Sequence, residues 1–187
     1  MKSQERKNRE KKAQLETILR FQGKKISLLS VLFEWEDGSK STSDIVKHPG
    51  AIALLPINEK KEIVLIRQWR KAPEEILIEI PAGTLEPPET PQECATRELQ
   101  EEAGLKPLTL ISLGGFYSSP GFCNEYIHLF LAKDLITSYL QAGDSDGIDV
   151  FSLSLEDALS WAYEGKIQDS KTLAALCLYQ LWLSRST

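Results

Sequence analysis

The sequence predicts an α/β domain with an antiparallel lead-in, on three observations. Short runs rich in Ile, Val and Leu, at residues 51–57, 62–69 and 76–80, lie between turn residues and read as strands buried on both faces. One helix has both ends written in the sequence. Thr90-Pro91-Gln92-Glu93 supplies an N-cap, a proline at the first helical position and a capping-box glutamate, and Gly104 stands where a left-handed cap belongs, giving a helix over 91–103. Near the end of the chain, Leu173, Leu176, Cys177 and Leu181 recur at helical spacing, the stripe of a helix packed on a core.

The other elements follow in order. Residues 9–20 are read as helical, and residues 26–35 as a loosely alternating strand ending at Glu36-Asp37-Gly38-Ser39, a hairpin signal. Beyond the central strands and the capped helix, 108–116 and 126–132 read as strands separated by Ser118-Ser119-Pro120-Gly121, and 148–153 as a further strand. Ser154 with Asp157 begins a helix that Gly165 ends, and Ser170 begins the last one. The expected organisation is a basic N-terminal tail or helix over 1–22, a strand segment over 23–48 and a main domain over 49–187.

Composition narrows the function. The chain of 187 residues is 42% hydrophobic and 26% charged, enough for a real core, with no apolar run near the roughly 20 residues of a membrane span. Its net charge of −5 is uneven, because residues 1–14 hold six Lys/Arg against two Glu. The acidic remainder offers no basic face to phosphate backbones, so neither nucleic acid nor membrane is an expected partner. The basic start lacks the apolar stretch of a secretory signal, and Cys94, Cys123 and Cys177 are odd in number and form no CxxC pair. Neither a disulfide framework nor a zinc site is supported, and the cytoplasm is the expected location.

The anomaly lies in the capped helix. Glu98, Glu101 and Glu102 fall at i, i+3 and i+4 and share one face. They occupy the last turn, where the helix dipole favours cations, so mutual repulsion and the dipole both oppose them, each by a few tenths to about 1 kcal/mol. One reading is a solvated acidic surface with Arg97 bridging its neighbours. The other is a cation pocket, because the run Ile76-Leu77-Ile78-Glu79-Ile80-Pro81-Ala82-Gly83 leads an apolar strand into a glycine turn directly upstream. All-oxygen ligands select hard cations, Mg2+ with Mn2+ as the alternative, and such ions serve phosphate hydrolysis.

Gly83, Glu89, Arg97, Glu98, Leu99, Glu101, Glu102, Gly104 and Leu105 stand at the spacing G-x5-E-x7-R-E-U-x-E-E-x-G-U, with U aliphatic. This is the Nudix box, and the chain resembles the Nudix hydrolases. The flanks Ile80-Pro81-Ala82-Gly83, Arg67-Gln68-Trp69-Arg70 and Lys47-His48-Pro49-Gly50, with Pro120 lying 15 residues beyond the box, resemble the ADP-ribose (ADP-sugar) pyrophosphatases. The resemblance implies an α/β/α sandwich with a mixed central sheet over 49–187, and hydrolysis of a small nucleoside diphosphate sugar. ADP-ribose would yield AMP and ribose 5-phosphate.

Carried over position by position, the resemblance implies that the Ala82 carbonyl with Glu98, Glu101 and Glu102 binds the metal, and that Arg97 holds the box carboxylates, Glu89 included, in place. Gly83 permits close backbone approach. Arg70 and Arg67 would meet the diphosphate, since guanidinium groups match phosphate oxygens, and Pro120 would border the substrate. Asp144 and Asp146 align with a late-loop catalytic base and a further metal ligand. Both are one methylene shorter than glutamate, Glu101 or Glu102 is the fallback base, and the segment also reads as a turn before Ile148. The segment over 26–35 resembles the part through which these enzymes dimerise, so a homodimer is expected. Two alternatives accompany this reading: a pyrophosphatase for another nucleotide sugar such as GDP-mannose, and a binding module or sensor that retains the box with weak chemistry.

Overall fold

The computed structural model describes residues 3–141 and 147–185, and the chain divides into two units: Met1–Pro49 with Tyr117–Glu125, and Gly50–Phe116 with Tyr126–Thr187.

In the first unit, the polar helix α1 (Ser3–Ala13) precedes the strands β1 (Gln14–Gln22), β2 (Ser27–Glu34) and β3 (Lys40–Lys47). They form an antiparallel meander in the order β1-β2-β3. The helix expected over 9–20 therefore ends at Ala13, and residues 14–20 are strand, with Thr17 opposite Val31 and Leu19 opposite Leu29. The reason is periodicity: Leu15, Thr17, Leu19 and Phe21 alternate with period two, and the cross-strand partner decides between competing local patterns. Leu15, Leu19 and Phe21 are exposed in the chain on its own. The turn after β2 forms as read, with Trp35 N–H donating to the Ser39 carbonyl and Gly38 at φ 78. Residues 117–125 return beside β3, where Val46 N–H donates to the Phe122 carbonyl at 2.7 Å and His48 N–H to Asn124 Oδ1 at 2.7 Å.

The second unit holds β4 (Ala51–Pro56), β5 (Ile63–Arg70), β6 (Glu75–Glu79), β7 (Ala82–Thr84), α2 (Pro91–Ala103), β8 (Leu105–Tyr117), β9 (Tyr126–Thr137), β10 (Asp149–Leu153), α3 (Leu155–Tyr163) and α4 (Ser170–Arg185). Its strands lie in two sheets, ordered β7-β4-β9-β8 and β10-β5-β6. β4 runs parallel to β9 and antiparallel to β7, so the sheet is mixed. The uninterrupted apolar run of β4 is explained by layers on both of its faces. Ile52 and Leu54 pack with Cys94, Ala95 and Leu99 of α2, whereas Ala53 and Leu55 pack with Ala158 of α3 and Ala175 and Leu176 of α4. Each large aliphatic side chain removed from water there contributes about 1.5–3 kcal/mol.

Two readings change. β6 is not buried on both faces: at its start Glu75 and Ile76, which point to opposite faces, are both exposed, Ile76 by 65%. The buried face of α4 carries Thr172, Ala175 and Leu176, while Cys177 and Leu181 of the expected stripe are exposed. The first turn sets the helix phase: the Thr172 hydroxyl accepts from Ile80 N–H at 2.9 Å, which turns that residue inward.

Candidate active site

The site grows from the link between β6 and α2. Leu54 N–H donates to the Pro81 carbonyl, and Ala82 and Gly83 pair with Ala53 and Ile52, so the central strand holds the glycine segment in register. α2 forms over the expected span. The Thr90 hydroxyl accepts from Glu93 N–H, the Glu93 carboxylate accepts from Thr90 N–H, and Gly104 closes the helix at φ 65. Leu99, Ala95 and Cys94 face the core. Their phase brings the acidic residues of the last turn to the edge of β7, where Gly83 meets Glu98.

Arg97 organises this acidic face. Its Nε and Nη2 donate to the two oxygens of Glu89 at 3.1 and 2.8 Å, and Nη1 donates to Glu98 at 2.7 Å and to Glu101 at 3.1 Å. One guanidinium thus faces three carboxylates, all largely removed from solvent. The hydrogen bonds from Arg97 hold the Glu89 carboxyl down to about 2. The same bonds, with the charge of Glu98, push Arg97 further up its already basic range. Cys94, buried beneath, has its thiol pushed far above the thiolate range by burial and by Glu89, so it is no nucleophile.

Glu102 behaves differently. It accepts from Ala82 N–H at 2.9 Å. Burial pushes its carboxyl up to about 7, with Glu98 adding to the rise, while the Ala82 N–H, Arg70 and Lys171 oppose it. A buried carboxylate that resists ionisation beside another carboxylate is a place where a cation lowers the free energy. Among the described residues no three acidic, His or Cys side chains converge as a ready-made metal cage, because Glu98 and Glu101 bond Arg97 and Glu102 bonds the backbone. The donors nonetheless suit a hard divalent ion, being carboxylate oxygens of one helix face set against a strand lacking a side chain at Gly83.

A cleft of about 820 Å3 lies in the same unit, lined in part by Gln68, Trp69, Arg70, Glu79 and Lys171. Arg70 does not extend freely into it: its Nε and Nη2 donate to Glu79 at 2.6 and 2.5 Å. Glu79 is 1% exposed and also accepts from the Lys171 ammonium, which in turn donates to Asp169 at 2.8 Å. The Arg67 guanidinium lies over the Phe151 ring at 4.1 Å. Gln68 Oε1 is buried without a hydrogen-bond partner among the described residues, an acceptor suited to a water or a ligand hydroxyl.

The structure therefore brings Ala82, Gly83, Arg97, Glu98, Glu101 and Glu102 together, with Glu89. Arg70 and Arg67 are in the same unit, each already engaged by another side chain. Pro120 belongs to the first unit, on a turn where Phe122 and Cys123 N–H donate to the Ser119 carbonyl. Asp144 and Asp146 lie outside the described residues. Sequence reading missed Glu79, Asp169 and Lys171. The available signal was the single charge inside the apolar run 76–80, since a buried carboxylate requires a cation.

Comparison with known proteins adds three kinds of match. The family model of the NUDIX domain matches residues 46–176. An ADP-ribose pyrophosphatase of Bacillus subtilis (strain 168) is 39% identical over 163 residues, covering 86% of this chain and 88% of the relative. A methanol dehydrogenase activator of Bacillus methanolicus is 40% identical over 163 residues, with the same coverage. A GDP-mannose pyrophosphatase of Cronobacter sakazakii is 34% identical over 162 residues, 78% of this chain and 84% of the relative. A solved structure described as an ADP compounds hydrolase superposes with a TM-score of 0.82 over 92% of this chain and 94% of that one, at 20% identity, a likeness of fold.

Proposed function

The chain belongs to the NUDIX family, and from that premise we propose that it hydrolyses the diphosphate bridge of ADP-ribose or a related ADP-sugar, giving AMP and a sugar 5-phosphate. One observation carries the reading: Glu98, Glu101 and Glu102 share a helix face against the Ala82-Gly83 strand, with Arg97 bonded to two of them. The match to the B. subtilis pyrophosphatase over most of both chains supports the substrate class.

In this reading Glu98, Glu101 and Glu102, with the Ala82 carbonyl, hold divalent ions, Mg2+ or alternatively Mn2+. When bound, the ions neutralise the diphosphate and lower the pKa of an attacking water. Arg97 keeps Glu98 and Glu101 fixed, so that little reorganisation is needed on binding. Gly83, with no side chain, lets Glu98 lie close against β7. Arg70, and Arg67 three positions before it on β5, meet phosphate oxygens. The water's proton passes to a carboxylate, Asp144 or, as the fallback, Glu101 or Glu102, with Asp146 as a further metal ligand.

The test is incubation with ADP-ribose or GDP-mannose and Mg2+ or Mn2+, following AMP and GMP, beside Glu98→Gln. AMP from the wild type and not from the variant supports the reading; no nucleotide from either substrate sinks it. The 34% identity to a GDP-mannose pyrophosphatase makes GMP release the second reading. The 40% identity to a methanol dehydrogenase activator favours a further role, tested by adding the wild type and Glu98→Gln to an assayed alcohol dehydrogenase.

The protein is further proposed to act as a cytoplasmic homodimer. Leu15, Leu19, Phe21, Ile26 and Leu28 are exposed on and beside β1 and β2, an apolar surface suited to a second copy. No helix among the described residues is long and apolar enough to cross a membrane. Sedimentation as a monomer at micromolar concentration would remove the dimer from this account.

A further inference from the structure

We propose that Lys171 is a positioning residue: through Glu79 it preserves the attraction of Arg70 for a diphosphate. This rests on the function proposed above.

The buried Glu79 carboxylate is shared between Arg70 and Lys171. Arg70 binds it with two parallel donors, which fixes the plane of the guanidinium, while its side chain stays 36% exposed on the cleft. Arg70 is thereby preorganised, and a phosphate oxygen meeting its outer edge orders little further. The cost of such pairing is charge: a guanidinium fully matched by one carboxylate has little net attraction left for an anion. Lys171 answers this. It lies between Glu79 and Asp169, is 12% exposed, and brings the group of Arg70, Lys171, Glu79 and Asp169 to formal neutrality. Without it the group carries a net −1, against which the cleft lining sets only Lys71, where a doubly charged diphosphate bridge is to be accepted. In a partly desolvated site that difference repels the substrate several-fold more strongly than in bulk water.

The scaffold explains why a lysine so far along the chain serves this purpose. Asp169 accepts from Thr172 N–H at 2.9 Å and from its hydroxyl at 2.6 Å, capping the first turn of α4. Thr172 in turn accepts from Ile80 N–H at 2.9 Å. The start of α4 is thus tied to the strand end that carries Glu79, and Lys171 is set on its carboxylate by two neighbouring anchors.

The experiment compares the wild type, Lys171→Gln and the Glu79→Gln/Lys171→Gln double variant, reading kcat and KM for the nucleotide sugar cleaved, Tm, and calorimetric titration with ADP, which reports diphosphate binding without turnover. Lys171→Gln is expected to raise KM and weaken ADP binding about tenfold, with kcat within about twofold. The double variant, neutral again, is expected to recover most of the affinity; it remains informative if the single variant does not fold. Unchanged KM and ADP affinity in Lys171→Gln overturn the inference while leaving the proposed function standing. A double variant weaker than the single one also overturns it, pointing to a structural role. Wild type that binds ADP but cleaves no nucleotide sugar removes the proposed function alone.

Discussion

A methyl group at Gly83 would lie 1.8 Å from Cδ of Glu98, so the Glu98 side chain occupies the space that a side chain at 83 would take. The obstacle is the far end of a flexible glutamate, so an alanine can be accommodated by swinging Glu98 aside. Gly83→Ala should therefore lower Tm by only a few degrees yet reduce turnover about 10- to 100-fold, because it moves a carboxylate proposed to hold metal. Thermal melting and AMP release on the same preparation check this; a variant with unchanged turnover would mean that the placing of Glu98 is immaterial.

Removing charge at that carboxylate separates chemistry from folding. Glu98→Gln should abolish turnover by about 100-fold or more while leaving the metal-free protein about as stable as the wild type, since the relief of repulsion with Glu102 offsets the loss of the ion pair with Arg97. Millimolar Mg2+ should raise the wild-type Tm and leave that of the variant nearly unchanged. Equal Mg2+ shifts in both proteins would contradict the assignment of Glu98.

Arg97 is paired with three carboxylates at once. Arg97→Ala leaves Glu89, Glu98 and Glu101 without that counter-charge, a loss of about 2–3 kcal/mol once partial exposure is allowed for, or roughly 5–10 °C in Tm. Arg97→Lys keeps the charge but cannot reproduce the paired bonds to Glu89, and should fall between the two. Denaturant unfolding of the three proteins measures the order.

Stability of the metal-free protein should depend on Glu102. Its carboxyl is raised from 4.5 to about 7 by burial and by Glu98. The folded state therefore binds the proton more tightly than the unfolded one. Its stabilising contribution is fully present below pH 4.5 and is lost as pH rises through about 7. Metal-free Tm should accordingly fall between pH 5 and 8, Glu102→Gln should flatten that fall, and a divalent ion should reverse it for the wild type. A flat wild-type profile, with EDTA present throughout, counts against a buried protonated Glu102.

Much of the site was readable because its parts are local. The cap residues Thr90, Pro91, Glu93 and Gly104 delimit α2 through bonds closed within a few positions, and helical spacing alone puts Glu98, Glu101 and Glu102 on one face. The apolar run of β4 likewise announced a strand covered on both sides. Residues 14–20 misled because a weakly helical stretch and a period-two stretch overlap there, and β2 settles the contest by pairing.

By itself, the amino-acid order determined the acidic helix, its ends, the buried strand beside it and the family. Those features follow from backbone and side-chain preferences acting over a turn or two. Only the tertiary structure decided which cation meets which carboxylate: Lys171 reaches Glu79 across 92 positions, Arg70 turns onto that same buried acid, and Thr172 sets the face that α4 buries. Such pairings depend on where the packed sheet and helices bring distant residues. A buried charge in a sequence announces that it needs a partner, and the fold supplies one.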